Sequence, residues 1–101
     1  MRPGMRTEKR LIAGVEVEVR FPEFGVDHNR YAGQVVTVIV PGYEDRPLRY
    51  VIGRSRLPEG VGTDTPQGQD AALLILMPQI KTDASEVLAG KEVAAQKMPL
   101  Y

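Results

Sequence analysis

Gln34-Val35-Val36-Thr37-Val38-Ile39-Val40 is almost continuously β-branched, and Leu48-Arg49-Tyr50-Val51-Ile52-Gly53 repeats that character beyond the turn-rich run Pro41-Gly42-Tyr43-Glu44-Asp45-Arg46-Pro47. β-Branched and aromatic side chains suit a pleated, half-buried surface, so two such runs flanking a turn predict an antiparallel hairpin over residues 34–53. Residues 35–40 show almost no polar face, which predicts a central strand covered on both sides.

Upstream, Val15, Val17, Val19 and Phe21 alternate with Glu16, Glu18 and Arg20. That is the period of a half-buried strand, expected over residues 12–21 and ended by Pro22, which has no N–H for a ladder. Residues 1–10 carry Arg2, Arg6, Lys9 and Arg10 against the single acid Glu8, with Pro3 and Gly4 discouraging regular structure, and read as a flexible basic arm. Residues 23–33 mix Gly25, Asp27, Asn29 and Gly33, and read as a loop with one or two turns that holds the only histidine, His28.

Downstream, residues 55–70 contain Gly60, Gly62, Gly68, Pro58 and Pro66 and read as a long loop. The apolar run over residues 71–77 is short and bounded by Gln69-Asp70 and Pro78, which favours a buried strand over a helix. From Thr82 the tail reads as helical. Asp83 is placed to cap with Glu86 three positions on, and Ala84, Val87, Leu88, Ala94, Ala95 and Met98 fall near one face. Gly90 costs such a helix about 1 kcal/mol relative to alanine. A shorter helix followed by a strand through Val93 therefore stands beside it. The expected fold class is mainly β with one C-terminal helix, either a small barrel or a strongly bent antiparallel sheet, with residues 11–101 forming one domain.

At 101 residues, 43% of them hydrophobic, one core is expected. Thirteen basic and thirteen acidic residues cancel, so any attraction to nucleic acid or an anionic membrane must come from a local patch. The absence of cysteine removes disulfides, thiolate nucleophiles and cysteine-held zinc, and fits a reducing, cytoplasmic setting. The longest apolar run is far short of the roughly 20 residues that span a membrane, and residues 1–10 lack the apolar stretch of a secretion signal. No membrane association is expected.

His28, beside Asp27 and Asn29, suggests a general base or metal ligand. A base needs a nucleophile and an orienting group, and a transition-metal site needs more donors than one imidazole and one carboxylate. The chain has no second histidine, no HExxH and no GxSxG. His28 therefore reads as a loop residue, with Asp27, His28 and Tyr31 kept as a site for a small molecule. Glu16 and Glu18 place two carboxylates on one strand face, as glycosidases and metal sites do, but polar alternation also requires them there. Gly60-Val61-Gly62 lacks the third glycine of a dinucleotide loop, and no GK[ST] follows. No catalytic residue, cofactor or metal is expected.

Neutrality conceals polarity. Residues 46–56 hold Arg46, Arg49, Arg54 and Arg56 and no acid. With Arg2 and Arg6, if the arm folds over the second hairpin strand, they would make a patch for phosphates or an acidic protein surface. Alternatively they pair internally with Glu16, Glu18, Glu44 and Asp45. Tyr31, Tyr43 and Tyr50 lie in or beside the hairpin, where tyrosines near arginines suit bases or protein partners. Tyr50 is equally placed to be half-buried core.

Tyr31-Ala32-Gly33-Gln34-Val35-Val36-Thr37-Val38-Ile39, a turn, then Arg49-Tyr50-Val51-Ile52 resembles the glycine-then-strand segment of small SH3-like barrels, including the KOW type. The likeness covers residues 14–53, with the strand before it where the barrel's first strand would sit. It implies SH3-like topology and supplies no catalytic residues. The expected function is a non-catalytic interaction module that binds a protein partner or joins a larger complex through Arg46, Arg49, Tyr50, Arg54, Arg56, Tyr31 and His28. Nucleic-acid binding through the same arginines is the alternative, and an enzymatic role around Asp27 and His28 the third.

Overall fold

The computed structural model describes residues 6–21, 33–62 and 65–97. Four strands, β1 (Arg6–Ile12), β2 (Val15–Phe21), β3 (Gly33–Ile39) and β4 (Leu48–Gly53), form one antiparallel sheet in the order β1-β2-β3-β4. A 3₁₀ turn (Arg54–Arg56) leads toward helix α1 (Pro66–Leu88), and a single helical turn, α2 (Ala94–Lys97), follows. The fold is thus mainly β with a C-terminal helix. None of the described helices is long and apolar enough to cross a membrane.

The hairpin over residues 34–53 forms with Val36 opposite Tyr50 and Val38 opposite Leu48. Pro41-Gly42 makes its first turn, with the Tyr43 N–H donating to the Val40 carbonyl at 2.9 Å and Gly42 at φ +88°. A positive φ at the third residue of a turn is what glycine supplies without steric cost. Val36, Val38 and Val40 face the core with Val17, Val19 and Phe21 of β2 and Leu48, Tyr50 and Ile52 of β4. β3 lies between two strands, as its composition predicts. On the face away from the core Val35 is buried, while Thr37 and Ile39 are half-buried.

Three expectations are corrected. Arg6 to Arg10 belong to a strand rather than an arm, because the chain reverses at Ala13-Gly14 (φ 55° and 81°). Two positive φ values give the mirror-image turn whose twist matches a hairpin. Arg6, Glu8 and Arg10 pair with Phe21, Val19 and Val17, so all six share one sheet face. Charges on a core face are tolerated because they satisfy one another. Arg6 bonds Glu8 at 3.1 Å and Asp70 at 2.8 Å, Arg10 bonds Glu8 at 3.0 Å, and the Arg6 guanidinium sits 5.2 Å from the Phe21 ring centroid. Burial works against the Arg6 charge, but its hydrogen bonds with Asp70 and Glu8 outweigh that and raise its pKa.

The second correction concerns residues 66–77, which are helical rather than the end of a loop and a buried strand. Thr65 caps the helix, its hydroxyl accepting from the Gly68 N–H at 3.0 Å, with Pro66 in the first turn. Gly68 is required there, since a Cβ would lie 2.0 Å from the Gly62 carbonyl oxygen. Pro78 does not stop the helix. It lies on an exposed stripe with Leu74, Lys81, Thr82 and Ser85, where the carbonyl its missing N–H would have bonded faces water. Gln69, Ala72, Leu73, Leu76, Ile80, Asp83, Ala84 and Val87 are buried, the 3.6-residue period of one helix face.

Third, Asp83 is no cap and the tail is not one helix. α1 ends where Gly90 (φ +83°) takes the left-handed position, with Lys91 N–H donating to the Glu86 carbonyl and Gly90 N–H to the Val87 carbonyl, both at 2.9 Å. This is a glycine-terminated helix end with both returning bonds made. Val93 is buried outside any strand, and α2 begins after it.

Candidate functional site

Among the described residues β4 is an edge strand, with a strand neighbour only on the β3 side. Beside it lies a groove of about 260 Å³. One wall is Arg49, Tyr50, Val51 and Ile52; the other is formed by Leu76, Gln79 and Asp83 of α1 and Ala94 and Ala95 of α2, with Arg56 at the rim. Successive strand residues point to opposite faces. Four consecutive residues can border one groove only along the strand's edge.

The groove floor holds a polar cluster. The Tyr50 hydroxyl donates to Asp83 Oδ2 at 2.7 Å, and Gln79 Nε2 donates to Asp83 Oδ1 at 2.9 Å. Both carboxylate oxygens are thereby satisfied, which a buried acid requires. Burial, reinforced by the adjacent Asp83 carboxylate, pushes the Tyr50 hydroxyl far above the ordinary phenol range. Tyr50 therefore serves as a neutral donor. Its ring is buried, so it lines the floor rather than offering a stacking face.

Of the expected arginines, Arg49 and Arg56 meet at this groove. Arg54 borders a separate, shallow concavity with Leu57, Pro58 and Gly60, and Arg46 lies in the hairpin turn, where its carbonyl accepts from Gln96 Nε2 at 3.2 Å. All four are exposed, and no described acid pairs with them. Three of the four acids proposed as internal partners are engaged elsewhere: Glu16 with Lys9 at 3.9 Å, Glu18 with Arg20, and Glu44 in the hairpin turn. Glu44 accepts the Gly42 N–H at 2.9 Å. That bond, with one from its own backbone N–H, holds its carboxyl below the usual range. Arg6 does not join the patch, because β1 lies at the opposite edge of the sheet. Asp27, His28, Tyr31 and Arg2 lie outside the described residues.

The carboxylates Glu16 and Glu18 line a concavity of about 310 Å³ on the sheet face away from α1, together with Lys9 and Arg20. Glu16 and Glu18 are each matched to a cation, while Glu44, which also lines the concavity, is held by the Gly42 N–H. Among the described residues no three histidine or acidic side chains converge as metal ligands would. The groove itself was not visible in the sequence, because α1 supplies one wall. The signal that finds it is the Gln79/Asp83 spacing on a helix, four residues apart, with the buried Asp83 facing Tyr50. No family model, characterised protein or solved structure matches the chain.

Proposed function

We propose that this chain is a non-catalytic interaction module that engages an acidic protein partner through the β4 side of its sheet. The observation that carries this is the set of exposed arginines, Arg49 and Arg56 above all, that no described acid pairs with, beside a groove with apolar side chains in its walls. A guanidinium recognises carboxylates through a planar fork, and the apolar wall residues beside it add buried area. The neighbouring Tyr50–Asp83–Gln79 cluster is internally satisfied, which supports a structural floor rather than a reacting group. The likeness of residues 14–53 to SH3-like domains belongs to the same proposal, supported by β2, β3 and β4 following one another as antiparallel neighbours. So does a cytoplasmic setting, supported by a chain free of cysteine.

Selection from a random-peptide library tests the reading. The wild-type chain should enrich peptides rich in aspartate and glutamate, and the Arg49→Ala/Arg56→Ala variant should lose that enrichment. Equal recovery of acidic peptides by both chains, or enrichment without acidic bias, would remove the arginine rim from the account.

Nucleic acid is the second reading for the same cations. Phosphate contacts release counterions, so it requires affinity that falls steeply with salt. The buried ring of Tyr50 weighs against it, because base stacking needs an exposed aromatic face.

A further inference from the structure

Resting on that reading, we infer that the partner binds as an added strand, an extended acidic segment that pairs with the edge of β4 that no described strand covers and lies along the groove. The two sheet edges differ in kind. β1 is guarded by a neutralised ladder, Arg6, Glu8 and Arg10, tied by Asp70 to the helix. Inward charges of this sort discourage further pairing. β4 has no such ladder. Its inner-face residues are Leu48, Tyr50 and Ile52, its outer face carries Arg49, and the groove follows its backbone from Arg49 to Ile52.

An edge strand presents alternate N–H and C=O groups that pair with an extended chain, and side chains directly opposite each other share a face. A segment beside β4 therefore sets one of its faces against Arg49 and, at the groove's end, Arg56. Its other face meets Ile52, Leu76, Ala94 and Ala95. Charge complementarity calls for acids on the first face and the apolar wall calls for aliphatic side chains on the second. The occupant is a protein segment of alternating acidic and aliphatic residues, a pattern that neither nucleic acid nor a compact acidic surface provides.

The probe is a blocked peptide, about eight residues long to match ordinary strand length, alternating glutamate with leucine. A second peptide carries the same side chains with alternate amides N-methylated. Amide hydrogen exchange is followed residue by residue on the full chain. Strand addition predicts at least tenfold slower exchange at the alternate β4 amides that point away from β3, no change in β1, and at least tenfold weaker binding of the N-methylated peptide. Equal binding of both peptides, with β4 exchange unchanged, overturns strand addition while leaving the arginine rim intact. Failure of both peptides to bind, with an oligonucleotide retained at low salt, overturns both readings. β4 protection that grows with protein concentration in the absence of peptide would assign the edge to a second copy of the chain and overturn the acidic occupant.

Discussion

The Tyr50 hydroxyl and the Asp83 carboxylate, brought together from β4 and α1, share a 2.7 Å hydrogen bond in the wall between core and groove. It fixes the helix against the edge strand and gives the groove its floor. Tyr50→Phe leaves one carboxylate oxygen with Gln79 as its neighbour's sole support, and should cost about 1–3 kcal/mol in urea unfolding, as hydrogen bonds to charged groups do. Combined with Asp83→Ala the losses should not add, and a double-mutant cycle should return a coupling of about 1 kcal/mol or more.

The same pair sets an alkaline limit. Tyr50 holds its proton more tightly in the folded state than in the unfolded chain, burial being the larger cause and Asp83 the next. A raised folded-state pKa contributes stability that is fully present below the unfolded phenol value of about 10 and is lost as pH rises above it. Urea midpoints should therefore fall from pH 9 to pH 11, and the fall should be shallower in Tyr50→Phe. An equal slope in both proteins would sever Tyr50 from the alkaline loss.

Gly33 and Gly53 face each other across β3 and β4, yet their tolerances should differ. A Cβ on Gly33 would lie 2.2 Å from the Ile52 carbonyl oxygen, whereas one on Gly53 meets nothing within 4 Å. Thermal melts should show Gly33→Ala destabilised by about 1–3 kcal/mol, with Gly53→Ala within about 0.5 kcal/mol of wild type.

The β1–β2 turn holds Ala13 at φ 55°, a conformation that alanine adopts at a cost of about 1 kcal/mol. Ala13→Asn should raise the melting temperature, since asparagine before glycine suits this turn.

That turn also shows where the sequence was legible. Val35, Val38, Tyr50 and Ile52 announced β3 and β4 because tertiary contacts agree with their local preference. Ala13-Gly14 is a poor turn signal, so β1 stayed hidden inside a basic segment whose core-facing positions are charged. Residues 71–77 misled for another reason: they are apolar on every side, Leu74 being 76% exposed, so their period was obscured until Ile80, Ala84 and Val87 extended it beyond Pro78. Thr65-Pro66 was the start signal, outweighed by the neighbouring glycines. Of the site, Arg49 and Arg56 are visible as charge, but Asp83 reads as a cap because nothing in the sequence places it opposite Tyr50.

A charge swap tests the central claim most directly. Binding of two fluorescent peptides, one alternating glutamate with leucine and one alternating lysine with leucine, is measured by anisotropy against wild type and Arg49→Glu/Arg56→Glu. Both substitutions fall on exposed side chains, so the fold should be retained. Wild type should prefer the glutamate peptide and the variant the lysine peptide, each by at least tenfold; the same preference in both proteins would contradict an arginine-guided β4 edge.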